Sequence, residues 1–329
     1  MDAIERHAGS LVGCRVHQMH ALRNRPYLHA QFGDRLRHIS YFLSHVTRPC
    51  FQAGTLDLVP NNFSEMRAIL HTATTEADYP LIEEAPPLMS DADHRIASLV
   101  AERIHDGSTL QIGIGGIPNA ILAALVGHRD LGVHTELISD GVMNLVELGV
   151  VTGVAKQLNR TKAVGTFALG TRELYDFLDK NAAFELWPVR YVNDPRVIAQ
   201  ESGFVSINAS IAVDLLGQCA SETVAGAYYS SSGGQADFAR GAMYSPGGQG
   251  FVVLHSTTKD GTVSKIVPQL AAGDVVTTLK NTVDKVVTEW GVAELRARSI
   301  RSRAAALIAI AHPDHRNRLT AMAHQIGYL

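Results

Sequence analysis

The run Thr109-Leu-Gln-Ile-Gly-Ile-Gly-Gly-Ile-Pro-Asn-Ala120 constrains the fold more than any other stretch of this chain. Thr109 to Ile114 has the composition of a strand, and it runs into Gly113, Gly115 and Gly116. Pro118 then opens an apolar helical run from Asn119 to Val126. A strand, a glycine turn and a helix make an α/β unit, and such a turn leaves backbone N–H groups unobstructed beside a helix N-terminus. Spacing alone supports two readings: a cradle for an oxyanion or phosphate, and a tight turn that packs strand against helix. A dinucleotide fingerprint is incomplete, because Pro118 stands where its third glycine belongs.

The rest of the chain extends this pattern. Ser90 is placed to cap a helix over Asp91–Ile104, with Asp93 in its first turn and Ile96, Leu99 and Val100 on one face. Strands are expected at Glu136–Ile138, Val205–Asn208, Phe251–Leu254, Val275–Thr278 and Val286–Thr288, and helices at Arg172–Lys180 and Arg303–Ile310. Alternation of this kind predicts a wound α/β sheet. Towards the N-terminus the expected elements are a helix near Asp2–Leu11, a strand near Cys14–Met19 and a helix near Ser64–His71. Ala73 to Pro87, with its threonines, acids and prolines, reads as a linker, which divides the chain into residues 1–88 and 89–329.

Composition narrows the function classes. The 329 residues are 46% hydrophobic and 19% charged with a formal net charge of -3, which fits a folded protein and gives no footprint for nucleic acid or an anionic membrane. Cys14, Cys50 and Cys219 form no CxxC pair, so free or buried thiols in a reducing compartment are expected. The polar opening Asp2-Ala-Ile-Glu-Arg6 lacks a signal-peptide core, and apolar runs such as Ile121–Val126 are too short to span a bilayer. A cytoplasmic location is the expectation. A His17-x-x-His20 pair can be imagined as a metal site, but no carboxylate or cysteine cluster completes it, and no metal is expected.

Glu136 stands in His134-Thr-Glu-Leu-Ile-Ser-Asp-Gly-Val-Met143, about a helix length after the glycine turn. Ligands bind at strand ends in wound sheets, and a glutamate followed by Leu137 and Ile138 is costly to bury unless it is paired or used. Its two readings are a nucleophile or base and a surface carboxylate.

The order of motifs then carries a resemblance. Gln-x-Gly-Ile-Gly-x-Ile-Pro-Asn-Ala followed by His-Thr-Glu-x-x-Ser-Asp-Gly-Val resembles the signature of the acetyl-CoA hydrolase/4-hydroxybutyrate CoA-transferase family, the butyrate-type CoA-transferases. The likeness continues through Leu145–Gly153, Gly170–Phe177, Tyr191–Gln200, Val205–Ala209 and Val213–Gln218. It runs on through Gly233–Gly241, Ser264–Pro268, Val286–Glu294 and Ile310–Asp314. It covers nearly all of residues 90–329, whereas the earlier part matches in fragments only. The resemblance implies CoA-transferase-like wound sheets and a nucleophilic Glu136 that forms an acyl anhydride and then a glutamyl-CoA thioester. It implies oxyanion or CoA-binding donors near Ile112, Gly113 and Gly115, and Asn193 as a substrate-contacting asparagine. Ser231, Gly233 and Gly234 correspond to a loop closing on the thioester, Lys265 lies in a CoA-proximal segment, and Glu289 corresponds to a second glutamate near the nucleophile. CoA or acyl-CoA enters as substrate with a small carboxylic acid, with no tightly bound cofactor, and a homodimer is implied.

Two departures keep other readings open. The segment from Glu65 to Pro86 is short and lacks a Ser-Pro-Pro-Asp-x-x-Gly-like motif, so a complete C-terminal domain with a reduced N-terminal lobe is expected. The loop Gly-x-Gly-Gly reads Ser231-Ser-Gly-Gly234 here, which narrows the backbone and adds a hydroxyl. A CoA-transferase is therefore the leading expectation. The others are an acyl-CoA thioesterase or acyltransferase to a different acceptor, and a non-catalytic CoA-binding homologue or partner subunit.

Overall fold

The computed structural model describes residues 81–224 and 226–329. The expected elements and lobe before residue 81, the linker up to that point, and Cys14, Cys50, His17 and His20 lie outside the described residues. Glu84–Leu174 together with Ala182–Leu329 forms one compact unit, which carries everything described below.

Its centre is a six-stranded sheet built from β1 (Thr109–Ile112), β2 (Gly132–Val133), β3 (Phe204–Ala209), β4 (Gln249–Val253), β5 (Lys285–Thr288) and β6 (Gly291–Glu294). The strand order is β6-β5-β4-β3-β1-β2, parallel from β2 to β5, with β6 added antiparallel by a tight return from β5. All of β1 is buried, and so is β3 as far as Asn208, as a parallel sheet covered on both faces requires. The chain steps from β1 outward to β2, then returns to the far side of β1 and continues to β3, β4 and β5. That reversal puts a topological switch point between the carboxyl ends of β1 and β3. Two buried amides meet there: Gln111 Nε2 donates to Asn208 Oδ1 at 3.1 Å, and Asn208 Nδ2 donates to Gln111 Oε1 at 2.9 Å. Each satisfies the other where water cannot.

Five helices matter for this frame: α1 (Asp91–Ala101), α2 (Gly116–Ala124), α3 (Gln235–Tyr244), α4 (Ile300–Ala309) and α5 (Pro313–Gln325). A reciprocal capping box between Ser90 and Asp93 starts α1 as the sequence suggested. Burial works to raise the Asp93 carboxyl, but hydrogen bonds from Ser90 and from His255 at 2.9 Å outweigh it and hold Asp93 below its usual value. α2 begins at Gly116, earlier than expected, with Gly115 as its N-cap at φ +116°. Pro118 then falls inside the first turn, where its missing N–H has no intrahelical partner to lose. Apolar residues of α4 and α5, Leu307 and Leu319 among them, pack with Val252, Val286 and Leu295 in one core cluster.

Two expectations need correction. Val275–Thr278 is not a strand: it makes a single bridge, Thr278 to Cys219, and the Val275 N–H is taken by Thr223 Oγ1. The Glu136–Ile138 strand is limited to Leu137–Ile138, so Glu136 stands just before it. α3 and α5 are helices that apolar periodicity did not announce, although Pro313 at N1 and Asp314 in the first turn mark the start of α5.

α3 crosses close to the short helix Pro195–Ile198, and a Cβ on Gly241 would come within 2.5 Å of Ile198 Cβ. Gly241→Ala therefore sets a helix-propensity gain of about 1 kcal/mol against an overpacking cost of about 1–3 kcal/mol. A net loss of stability is expected in urea unfolding; an unchanged or raised midpoint would show that Ile198 yields without cost.

Candidate active site

The segment beyond β2 builds the site. His134 forms a parallel bridge with Val164, the Thr135 N–H donates to Val164 O, and the carbonyl of Glu136 accepts from the N–H groups of both Thr166 and Phe167. Leu137 and Ile138 then pair with Phe167 and Ala168. This backbone is fixed on one side by the sheet residue Ile112, whose carbonyl and N–H both bond to Thr135 Oγ1. Glu136 is thus held at the carboxyl end of the sheet with its side chain half-buried.

Asn193 approaches from the end of the short helix Val189–Val192, and its Nδ2 donates to Glu136 Oε2 at 2.8 Å. Asn193 Oδ1 is buried with no hydrogen-bond partner. The third wall comes from the loop preceding α3. A Cβ on Gly234, the N-cap of α3, would overlap Glu136 Oε2 and lie 2.6 Å from Asn193 Nδ2. Only glycine permits this approach. Gly233 has φ +51°, a left-handed conformation that also favours glycine.

Glu136, Asn193, Ser231 and Gly233 line a cleft of about 540 Å³ with Val189, Arg190, Asp194, Arg196, Ser232 and Asp237. Arg196 pairs with Asp194 at 2.6 Å, and a hydrogen bond from Arg196 holds the Asp194 carboxyl below its usual value. Burial raises Asp237, with Arg240 opposing and Asp194 adding to the rise. Arg190, Arg196 and Asp237 were not anticipated from the sequence. Their signal is weak, because charged residues on short helices are usually solvated; Asp194 caps the helix Pro195–Ile198.

The structure does not bring the other candidates into this cleft. The Gly113 N–H is committed to Ile207 O at 2.9 Å, and the Ile112 N–H donates to the Thr135 hydroxyl. Gly115 is exposed at the start of α2. Glu289 follows β5, four strands from β2, or about 19 Å at the usual spacing. Its carboxylate accepts from the N–H and hydroxyl of the buried Ser256. Burial lowers Lys265 from the ordinary lysine value while the charge of Glu289 opposes that shift. These two form a separate polar cluster near the ends of β4 and β5. Cys219 is buried and free, and burial pushes its thiol up, so it is no nucleophile.

Among the described residues no group of three or more His, Cys, Asp or Glu could hold a metal ion, and no helix is long and apolar enough to cross a membrane.

A model of the acetyl-CoA hydrolase/transferase C-terminal domain matches residues 170–323. The chain is 43% identical over 295 residues to the 4-hydroxybutyrate coenzyme A transferase of Clostridium kluyveri, which covers 87% of this chain and 69% of that protein. The chain belongs to the acetyl-CoA hydrolase/transferase family. Another family relative, the succinyl-CoA:cyclohexane-1-carboxylate CoA transferase of Geobacter metallireducens, is 50% identical over 252 residues, 77% of this chain and 58% of that one. Two solved family structures share the α/β fold. RipA from Yersinia pestis superposes with a TM-score of 0.75 at 41% identity, over 78% of this chain and 58% of its own. The 4-hydroxybutyrate CoA-transferase of Porphyromonas gingivalis gives 0.68 at 45%, over 78% and 60%. The chain spans between 58% and 69% of the length of these four family members.

His134 lies two residues before Glu136. It is fully buried among Tyr191, Phe204 and Phe238, and burial lowers its pKa from 6.5 to about 4, with a hydrogen bond to Val192 O opposing and Lys156 adding to the drop. The unfolded chain takes up this proton first as pH falls, so stability is intact above 6.5 and declines between 6.5 and about 4. The full loss from this group is roughly 3 kcal/mol at 1.36 kcal/mol per pKa unit. Urea unfolding from pH 7 to 4 should fall less steeply for His134→Gln than for wild type; coincident slopes would mean that the ring is not buried in its neutral form.

Proposed function

We propose that this protein is a CoA-transferase that moves CoA between short-chain carboxylic acids through a glutamyl-CoA thioester on Glu136. The observation that carries the proposal is the half-buried Glu136 carboxylate, facing a cleft, bonded to the Asn193 amide and approached at contact distance by Gly234. The names of the relatives, which are CoA transferases for succinyl-CoA, cyclohexane-1-carboxylate and 4-hydroxybutyrate, support the same class of substrate. A homodimer, a cytoplasmic location, and the division into a reduced lobe over residues 1–88 and a catalytic domain over 89–329 belong to this proposal.

Glu136 attacks the thioester carbonyl of the acyl-CoA, and the tetrahedral intermediate expels CoA thiolate to leave an acyl-glutamyl anhydride. The thiolate then attacks the glutamyl carbonyl, releasing the first acid as carboxylate and forming the glutamyl-CoA thioester. A second carboxylate attacks that thioester, and the reverse sequence delivers its CoA ester and frees Glu136. Neither redox change nor net proton transfer is required. A carboxylate is a weak nucleophile, so partial removal from water and tight CoA binding have to supply its activation. Asn193 Nδ2 orients Glu136 and is placed to donate to the developing oxyanion when the carboxylate becomes an acyl oxygen. The first-turn N–H groups of α3 add positive potential beside it.

Intact-protein mass spectrometry after incubation with acyl-CoAs and brief borohydride treatment tests the covalent step. Reduction of the thioester converts the carboxyl to a hydroxymethyl group, so wild type should lose one oxygen and gain two hydrogens at Glu136, and Glu136→Ala should not. Thioester consumption without this mass change would instead indicate direct hydrolysis or acyl transfer, and no consumption a binding-only homologue. Gly234→Ala offers an independent check. Because the added methyl group displaces the carboxylate or the amide, kcat should fall by about 100-fold with the fold retained. Near-wild-type turnover would remove the loop from the reacting centre.

A further inference from the structure

His134 stands two residues before Glu136, and its Nε2 is 2.8 Å from the carbonyl of Val192, one residue before Asn193. This hydrogen bond spans 58 positions in the chain and joins the segment carrying the carboxylate to the helix carrying the amide. A carbonyl only accepts, so Nε2 carries the proton and Nδ1 is the unprotonated nitrogen. Nδ1 is buried with no partner, an arrangement that costs stability. The ring packs edge-on to Phe204 and Phe238 and tilted to Tyr191, with centroids 6.1 to 6.5 Å away, so it has little freedom to turn. Other polar side chains could fill the space; few would reach the Val192 carbonyl while presenting an apolar edge to three aromatic rings.

We propose that His134 is a positioning residue, which holds Asn193 Nδ2 at hydrogen-bonding distance from Glu136 by fixing the Val192 carbonyl. It touches neither substrate nor the reacting atoms. Its contribution rests on the CoA-transfer reading, because only there does the Glu136–Asn193 geometry limit a rate.

The test uses the full-length protein and the variants His134→Gln, His134→Phe, Asn193→Ala and the double variant His134→Phe with Asn193→Ala. Gln keeps a donor at about the reach of Nε2, and Phe keeps the ring without a donor. CoA exchange from acyl-CoA to acetate is followed, with folding checked by circular dichroism. His134→Phe is expected to lower kcat by about 10- to 100-fold, as a displacement near 1 Å does, while KM for the acyl-CoA changes less than about threefold. Gln should recover most of that loss. In the Asn193→Ala background the Phe substitution should cost less than about twofold more, because the effect passes through Asn193. Equal losses for Gln and Phe, or additive losses in the double variant, overturn the proposal.

Imidazole nitrogen NMR of wild type, assigned with His134→Gln, decides the matter if the Phe variant does not fold. A ring protonated only on Nε2 across about pH 5 to 8 supports the proposal; one that titrates there, or carries its proton on Nδ1, overturns it. A crystal structure of the Gln variant showing Asn193 and Glu136 still bonded supports it as well, and a broken contact there counts against it. These readouts need no turnover. An inactive wild type would therefore sink the CoA-transfer reading while still leaving the role of His134 decided.

Discussion

On the proposed reading the Glu136 carboxylate has to leave water in part without being neutralised, and the geometry around it fits this constraint. Full burial of an unpaired carboxylate costs several kcal/mol and is relieved by taking up a proton, while a tight guanidinium pair would hold the charge too firmly. The arrangement around Glu136 lies between these limits. A neutral amide donates one hydrogen bond to Oε2, and the side chain remains half-buried at an open cleft. The backbone is treated differently. The Glu136 carbonyl takes two N–H groups, and its neighbours on either side pair with the chain at 164–168, so the residue is fixed while its carboxylate stays accessible.

The sheet determines where such a residue can stand. Central strands of a parallel sheet lie under elements on both faces, so polar side chains along them must pair internally, as Gln111 and Asn208 do. Groups that need a ligand are left the carboxyl ends. Glu136 follows β2, Ser210 follows β3, His255 and Ser256 follow β4, and Glu289 follows β5. Position along this edge then separates their roles. The Ser256–Glu289 pair satisfies itself, while Glu136 is met by Asn193 and Gly234 from segments far away in the chain.

What could be read in advance follows the same division between local and long-range physics. The glycine turn after β1, the cap at Ser90 and the buried strands β3, β4 and β5 were legible because each depends on residues close in sequence. Glu136, Asn193 and the Gly233-Gly234 loop were picked out through motif order, and the structure gathers them at one cleft. Periodicity did not find α3, because its glycine at 241 and its polar residues dilute the apolar face; it forms through Phe238, Ala239 and Ala242 packing inward. The commitment of Gly113 to Ile207 was equally hidden, since a glycine freed for a ligand and a glycine bonded to the next strand look the same in sequence. The placement of Glu289 depends on strand order, which no local pattern encodes.

The serine at 231 gains a clearer meaning from this geometry. A glycine in a loop is required for one of two reasons: a left-handed backbone, or a neighbour too close for a Cβ. Gly233 meets the first condition and Gly234 the second. Ser231 is not among the residues with positive φ, so a side chain there carries no such backbone penalty. The close approach to Glu136 is therefore secured by two glycines further along the loop, and position 231 is left free to vary at the cleft rim. Ser231 lines the cleft while the Glu136–Asn193–Gly234 contact is made without it. On the proposed CoA-transfer reading, residue 231 is a rim position at which substrate preference would change without a change at Glu136.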